Sequence, residues 1–311
     1  MNLVIVGSVA LDDVKTPLGE VKNALGGSAV YSSLSAQYFT QAGVVGVVGH
    51  DFPENYLQTL AARSIRLEGL EKAPGETFHW AGYYEYDMGS AKTLDTRLNV
   101  FAAFDPKIPS AFKSVPYLFL ANIDPELQTK VLNQITRPRF TLLDTMNFWI
   151  ETKREALLAV FPRVDMVVVN DAEARQLAGT PNLLQAARWI RNHGPRGVII
   201  KKGEHGALLF WENEIAALPA FPLDTVRDPT GAGDTFAGGF IGALAGSPDL
   251  TMDNFRRAAA MGTIMASFTV EDFSTRRLEG LSEEEIRARY RALQKISELK
   301  DFAGDFSSNG R

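Results

Sequence analysis

No cysteine occurs anywhere in the 311 residues. Disulfides, cysteine-ligated zinc, iron–sulfur clusters and thiol nucleophiles are therefore excluded, and the composition suits a reducing cytoplasm. Histidine is scarce, at four. Only His205 lies near a motif, and no chemistry is assigned to it. Positive charge is not in surplus: the net charge is −5. Neither nucleic acid nor an anionic membrane surface is implied as a partner. No uninterrupted apolar run reaches membrane-spanning length. The N-terminus, Met1-Asn2-Leu3-Val4-Ile5-Val6-Gly7, lacks a basic n-region and reads as a first strand, not a signal peptide. No Gly-x-x-x-x-Gly-Lys sequence occurs, which argues against a P-loop nucleotide hydrolase. Phe236 stands where a dinucleotide fingerprint opening at Gly231-x-Gly233 needs its third glycine. With 45% apolar and 22% charged residues, the chain is an ordinary globular one, long enough for one large α/β domain or two modest ones.

The most informative stretch is Asp228-Pro229-Thr230-Gly231-Ala232-Gly233-Asp234, followed by Thr235-Phe236-Ala237-Gly238-Gly239-Phe240. Ala220 to Val226 before it is compatible with a strand ending near Arg227. After it, Ile241, Leu244 and Ala245 continue at helical spacing. The glycines thus stand where a turn opens a helix, and the amides of Gly231, Ala232 and Gly233 are expected to lack helical partners. Free amides and the positive end of a helix dipole favour an anion. Asp234 would repel a phosphate there unless it had separate work, such as taking a proton from a hydroxyl. An anion hole beside a general base is what phosphoryl transfer to an alcohol requires. Taken alone, Asp234 is equally an acid in a first helical turn, where the dipole favours it.

The run Asp-Pro-Thr-Gly-Ala-Gly-Asp-Thr-Phe closely resembles the C-terminal signature of the ribokinase-like (phosphofructokinase B-type) carbohydrate kinases. That resemblance implies Asp234 as catalytic base, Gly231, Ala232 and Gly233 as the anion hole, Thr230 at the nucleotide, and ATP with Mg2+ as cosubstrate and cofactor. Further matches follow it along the chain. Leu3 to Val6 is a short apolar run ending at Gly7-Ser8, and Asp12 and Asp13 lie just beyond, where ligands of open α/β sheets bind. The family places a sugar-binding aspartate here, which by spacing is Asp12; Ala10 departs from the asparagine that many members carry. Gly26-Gly27-Ser28, with Ala29, Ser32, Ala36 and Phe39 at helical spacing, is similar to the family's N-terminal substrate-contacting signature. Asn170 and Glu173 resemble an Asn-x-x-Glu motif, which implies Asn170 at the nucleotide and Glu173 ordering magnesium through water; a helix cap and a first-turn acid is the alternative. Asp144, at another strand end, is a weaker candidate for that cluster. Lys201 to Gly206 is similar to a Lys/Thr-x-Gly-x-x-Gly turn along the ATP phosphates, implying roles for Lys202, Gly203 and Gly206. A plain hairpin turn explains it as well. Asn254 to Phe268 reads as a core helix that lines an adenine pocket with Ala258 or Met261. Residues 269–275 depart from the family's monovalent-cation element, which leaves potassium open.

Strand and helix patterns alternate through Val44–Val48, Asp51–Arg63, Tyr117–Ala121, Asp124–Ile135, Phe140–Asp144, Ile150–Phe161, Met166–Asn170 and Gly197–Lys201. This predicts a doubly wound, mostly parallel sheet flanked by helices, here of the ribokinase-like kind. Residues 77–88 differ: Phe78, Trp80, Tyr84, Tyr86 and Met88 share one parity, His79, Glu85 and Asp87 the other. Leu94, Leu98 and Val100 alternate against Asp95, Arg97 and Asn99. Such alternation predicts a small antiparallel β lid, built from insertions at about 12–22 and 76–103 of a single domain over 1–300. Its aromatic face either stacks on a substrate base or packs, in a domain contact or a homodimer; packing is the favoured reading. Glu283 to Leu293 is a final amphipathic helix, and the polar tail 301–311 is expected to be mobile. The expected activity is ATP-dependent transfer of the γ-phosphate to a hydroxymethyl group of a sugar in the cytoplasm. The alternatives are a nucleoside kinase (adenosine, inosine or cytidine type) and a catalytically silent sugar or nucleotide sensor.

Overall fold

A computed structural model describes residues 1–298; the tail 301–311 lies outside the described residues. From the N-terminus, β1 (Leu3–Val6) leads to the hairpin of β2 (Ala10–Thr16) and β3 (Gly19–Gly26), then to α1 (Ser28–Ala36) and β4 (Ala42–Val48). Next come α2 (Glu54–Ala62), β5 (Arg66–Lys72), β6 (Phe78–Tyr83) and β7 (Lys92–Arg97). Regular alternation follows: β8 (Tyr117–Leu120), α3 (Pro125–Leu132), β9 (Phe140–Asp144), α4 (Asn147–Thr152), α5 (Arg154–Val160), β10 (Met166–Asn170), α6 (Asp171–Ala178), α7 (Leu183–Asn192) and β11 (Gly197–Lys201). The chain closes with β12 (Ala207–Trp211), β13 (Glu214–Leu218), α8 (Ala232–Ala245), α9 (Met252–Thr269), α10 (Arg276–Glu279) and α11 (Glu283–Ser297).

Nine strands form one sheet in the order β13-β12-β11-β10-β9-β8-β1-β4-β5, and only the β12 and β13 pairings are antiparallel. β1 sits between β8 and β4, with Leu3 facing both Tyr117 and Ala42. Its continuous apolar run is what a strand covered on both faces needs. Leu3 and Ile5 join a core with α1, α8 and α9, whereas Val4 and Val6 join a second core on the opposite face. The pleat sorts neighbouring residues to opposite sides.

The small sheet has the order β3-β2-β6-β7. Its β2–β3 and β6–β7 pairs are antiparallel, and β2 runs parallel to β6. The strand expected over 77–88 stops at Tyr83, and the run expected over 94–100 is β7, followed by a 3-10 turn over Asn99–Ala103. The buried parity is also reversed: His79 is buried while Trp80 is half-buried. His79 tolerates this because its ring nitrogens lie 3.3 Å from the Asp13 carboxylate and 3.0 Å from the Arg97 guanidinium. Phe78 does pack, stacked on Phe101, but Tyr86 is 94% exposed.

Other boundaries move for identifiable reasons. Ala220 to Val226 is not a strand, because β13 already ends the sheet at Leu218 and prolines at 219 and 222 cannot donate to a ladder. The helix expected over Ile150–Phe161 breaks at Lys153, whose backbone leaves helical geometry. β5, β13 and α7 have no counterpart in the sequence reading; both strands are sheet edges of mixed polarity. No helix among the described residues is long and apolar enough to cross a membrane.

α1 and α8 approach unusually closely. A Cβ on Gly238 would collide with the Ser32 carbonyl, and one on Gly242 would lie 2.7 Å from the Ala36 Cα. Two serines of α1 use the proximity: Ser32 Oγ donates to the Asp234 carbonyl at 3.0 Å and Ser35 Oγ to that of Thr235 at 2.8 Å. Gly238→Ala must push the helices apart. We expect a loss of about 1–3 kcal/mol, the usual cost of overpacking, read from the urea midpoint. An unchanged midpoint would show that the contact is slack.

Candidate active site

The first turn of α8 lies beyond the carboxyl ends of the parallel strands, where crevices of open sheets take ligands. Gly231 precedes it with φ 74°, a left-handed conformation that favours glycine, and a Cβ there would lie 2.5 Å from the ring of Tyr31. The amides do not all stay free. Ala232 N–H donates to the Pro229 carbonyl at 3.2 Å, which corrects its expected place in the anion hole. Gly231, Gly233 and Asp234 donate no such bond among the described residues, so their N–H groups form the open cradle. The turn is anchored by Asp228, fully buried, whose carboxylate accepts from Thr230 N at 2.9 Å and Ser274 N at 3.1 Å.

Asp234 is half-buried by area yet densely surrounded by protein. Desolvation by that burial raises its carboxyl to about 7, with Asp144 adding to the rise and Lys201 opposing it. No hydrogen bond to its side chain offsets the shift. Asp12, on β2, is 5% exposed and pushed up to about 8, first by burial and then by Asp228, Asp234 and Asp13. Its carboxylate occupies the space that a Cβ on Gly26 would need. Gly27 turns the chain into α1. Ser28 is less available than expected. Its Oγ accepts from Ser8 N at 3.1 Å and lies 3.2 Å from the Ser8 hydroxyl, pinning α1 to the end of β1.

Two phenols complete this side of the cleft. Tyr31 is fully buried and its hydroxyl has no partner. Burial, then Asp12 and Asp228, hold it well above the ordinary tyrosine value. Tyr84, just after β6, is pushed up to about 12 by burial, and the hydroxyl of Thr230 donates to it at 3.3 Å. The small sheet is thereby tied to the turn that opens α8.

On the other side, Lys201 ends β11 and Asp144 ends β9, with Nζ 3.5 Å from Oδ2. Asp144 is itself held, its other oxygen accepting from Thr145 N at 2.9 Å. Gln128 donates to the Asp144 backbone carbonyl at 3.0 Å. Burial alone would depress the Lys201 ammonium, but Asp144, Glu173 and Asp234 keep it above the ordinary lysine value. Asn170 and Glu173 form a capping box: Glu173 N donates to Asn170 Oδ1 at 2.8 Å and Asn170 N to Glu173 Oε2 at 2.7 Å. The capping alternative therefore holds, and it leaves Oε1 uncommitted. Burial pushes Glu173 up to about 7. No group of three or more acidic or histidine side chains among the described residues is arranged to hold a metal directly. That donor set would leave Mg2+ to phosphate oxygens and waters, with the uncommitted Glu173 Oε1 available to accept from a metal-bound water.

Lys202 sits half-buried in the turn, its amide closing on the Gly206 carbonyl at 2.7 Å, with Gly203 and Gly206 both at positive φ. Lys201 lies against the first turn of α8, its Nζ 3.0 Å from where a Cβ on Gly233 would stand. Strand parity carried that signal, since Lys201 shares the face of Ile199, which packs toward α8. Asp228, Tyr31 and Tyr84 were also missed as site residues. Tyr31 could have been found four residues after Gly27, one helical turn on. Ala258 lies in the core at 1% exposure, which removes its side chain from a pocket wall, whereas Met261 is half-buried.

An unpaired carboxyl at a helix start, unbonded amides and an ammonium thus lie together beside the doubly wound sheet, and the family found for the chain is one of phosphotransferases that act on a sugar or nucleoside hydroxyl. Residues 3–279 match the pfkB family carbohydrate kinases, and the chain belongs to that family. It is 30% identical over 246 residues to a cytidine kinase of Thermococcus kodakarensis, covering 78% of this chain and 87% of that one. It is 27% identical over 288 residues to an inositol 3-kinase of Oryza sativa subsp. japonica, covering 84% and 68%. An aminoimidazole riboside kinase from Salmonella enterica, complexed with aminoimidazole riboside and an ATP analog, shares the fold with TM-score 0.73 and 19% identity over 93% of this chain and 100% of that one.

The raised carboxyls of Asp12, Glu173 and Asp234 give stability a definite pH dependence. Between the ordinary carboxylate range and about 7–8, the folded state holds protons that the unfolded chain has released. Their contribution is whole at low pH and is lost as pH rises through those values. Asp234→Asn removes one such loss. Its Tm should match the parent near pH 4 and exceed it by a few degrees near pH 8.5; a gap that ignores pH in calorimetric scans would contradict the assignment.

Proposed function

We propose that this protein transfers the γ-phosphate of ATP to the primary hydroxyl of a nucleoside. The observation that carries the reading is Asp234: a desolvated carboxyl raised to about 7, without a protein partner, at the turn where Gly231 and Gly233 leave their amides free. As the acceptor oxygen bonds to the γ-phosphorus, its proton passes to Asp234 and the bond to the bridging oxygen of ADP breaks. The free amides take the charge that develops on the phosphoryl oxygens. Mg2+, when bound, neutralises part of that charge from the phosphate side. On the acceptor side, Asp12 and the Tyr31 hydroxyl supply hydrogen bonds for ring hydroxyls.

A nucleoside is favoured over a free sugar by the likeness to the cytidine kinase over 87% of its length. The half-buried Trp80 and Tyr84 of the small sheet offer a wall for a base. The free sugar remains the second reading, since Asp12 recognises ring hydroxyls in either. A coupled assay of ADP release over cytidine, other nucleosides, ribose and myo-inositol tests the choice. Turnover with ribose alone would reverse it.

Two variants test the roles. Asp234→Asn keeps size but cannot accept the proton, so kcat should fall roughly 10²–10⁴-fold. Calorimetric affinities for ATP and acceptor should change little. In the parent, kcat/KM should rise with pH through about 7 as Asp234 loses its proton; near-normal turnover of the variant would remove Asp234 as base. Asp12→Ala should raise the acceptor KM about 10–100-fold, the loss of roughly 1–3 kcal/mol expected when buried polar groups lose a partner. The KM for ATP should hold, and equal rises for both substrates would misplace the acceptor pocket.

A further inference from the structure

We infer that Ser274 is a positioning residue that locks the small sheet, and with it the acceptor side of the cleft, to the turn that opens α8. The kinetic consequence rests on the phosphotransferase reading above. The first observation is conformation. Ser274 lies in the segment between α9 and α10, is buried, and has φ 58°. Residues with a Cβ seldom adopt that left-handed backbone, whereas glycine adopts it freely. A turn that needed only this geometry would carry glycine. What serine adds is a hydroxyl, and the hydroxyl is used: Ser274 Oγ donates to the Leu25 carbonyl at 2.6 Å. Leu25 lies on β3, the edge strand of the small sheet, one residue before the Gly26-Gly27 turn. β3 pairs directly with β2, which carries Asp12.

The second observation is what the backbone of the same residue does. Ser274 N donates to Asp228 Oδ2 at 3.1 Å, and Asp228 Oδ1 accepts from Thr230 N at 2.9 Å. One residue therefore bonds to β3 through its side chain and to the turn before Gly231 through its amide. Its neighbours brace the same junction. The Val270 carbonyl accepts from Arg227 N at 2.7 Å and from Asp228 N at 3.3 Å. The Thr269 hydroxyl donates to that of Thr235 at 2.9 Å. The Phe273 ring lies 3.2 Å from where a Cβ on Gly19 would stand, at the start of β3. Glu271 accepts from Arg277 at 3.0 Å and from Arg289 at 2.6 Å, which ties the segment to α10 and α11. Backbone strain persists where the surroundings over-determine it, and here two elements grip one residue. An acceptor held by Asp12 would face the Gly231 and Gly233 amides at a separation that this bracket sets. Bound reactants lose rate steeply when such a separation loosens.

The test separates the hydroxyl from the backbone strain. Ser274→Ala removes the hydroxyl and keeps the strain, and Ser274→Gly removes both. Ser274→Thr keeps the hydroxyl and adds strain, since a β-branched residue tolerates positive φ poorly. For each variant, kcat, the KM of ATP, the KM of the acceptor that the parent turns over, and Tm are measured. Ser274→Ala and Ser274→Gly should lose kcat alike, by about 10–100-fold, with the acceptor KM raised and the KM for ATP held. The glycine variant should nevertheless melt above the alanine one. Ser274→Thr should melt below the parent and keep most of its kcat. A residue that merely stabilised the fold would make activity follow Tm instead. That order, or near-parental kcat in Ser274→Gly, would overturn the inference. Should Ser274→Thr fail to fold, the alanine and glycine variants decide between the two outcomes. Amide hydrogen exchange gives a readout without turnover. In Ser274→Gly, peptides covering β3 and Thr230 should both exchange faster, and acceleration confined to the segment around residue 274 would equally overturn the inference. A parent that phosphorylates no sugar or nucleoside would instead refute the kinase reading, and exchange would still report on the tie.

Discussion

The near-contact of α1 with α8 is the constraint on which the cleft depends. Gly238 lets the later helix rest on the backbone of the earlier one, and Ser32 and Ser35 bond to carbonyls of its first turn. The same approach seats Gly231 on the ring of Tyr31. α1 follows directly from the Gly26-Gly27 turn, and α8 from the Gly231–Gly233 turn. Packing the two helices therefore sets these two glycine turns at a fixed separation. Proximity of this kind is a large part of how bound reactants gain rate.

Charge is distributed across that cleft with little internal compensation. Asp12, Asp228 and Asp234 lie with two phenols on one side, and Lys201 faces Asp144 and Glu173 on the other. Burial without pairing is costly, and carboxyls so placed hold their protons to higher pH. A folded protein optimised only for stability would pair or remove such groups. Their gathering at one strand-end crevice is what makes that crevice the candidate site.

Much of the fold was legible from the chain. The continuous apolar strands β1, β8, β9 and β10 are read from composition alone because both their faces are covered. Edge elements were not. β5 and β13 carry mixed polarity, since one side meets solvent, and no local pattern separates them from loops. The small sheet shows the same limit in another form. Its alternation was visible, but which parity faced inward was not. A polar network of His79, Asp13 and Arg97, from three different strands, turned the histidine side to the interior.

For the candidate site, the local chemistry of short segments was enough to single out Asp234, Gly231, Gly233 and Glu173, since a helix start exposes amides and favours acids whatever surrounds it. Asp12 followed from its position after a first strand. The partners of those groups belong to the tertiary structure. Ala232 turns its amide back to Pro229, Ser28 spends its hydroxyl on Ser8, and Lys201 meets the first turn of α8. Asp144 and Lys201 are 57 positions apart in the chain, and they meet because β9, β10 and β11 are neighbours in one parallel sheet. Sequence alone determined which groups could do chemistry. Strand order and the closeness of two helices decided which of them stand within reach of one another, because hydrogen bonds and charge pairs act over a few ångströms in space and chain separation does not encode that distance.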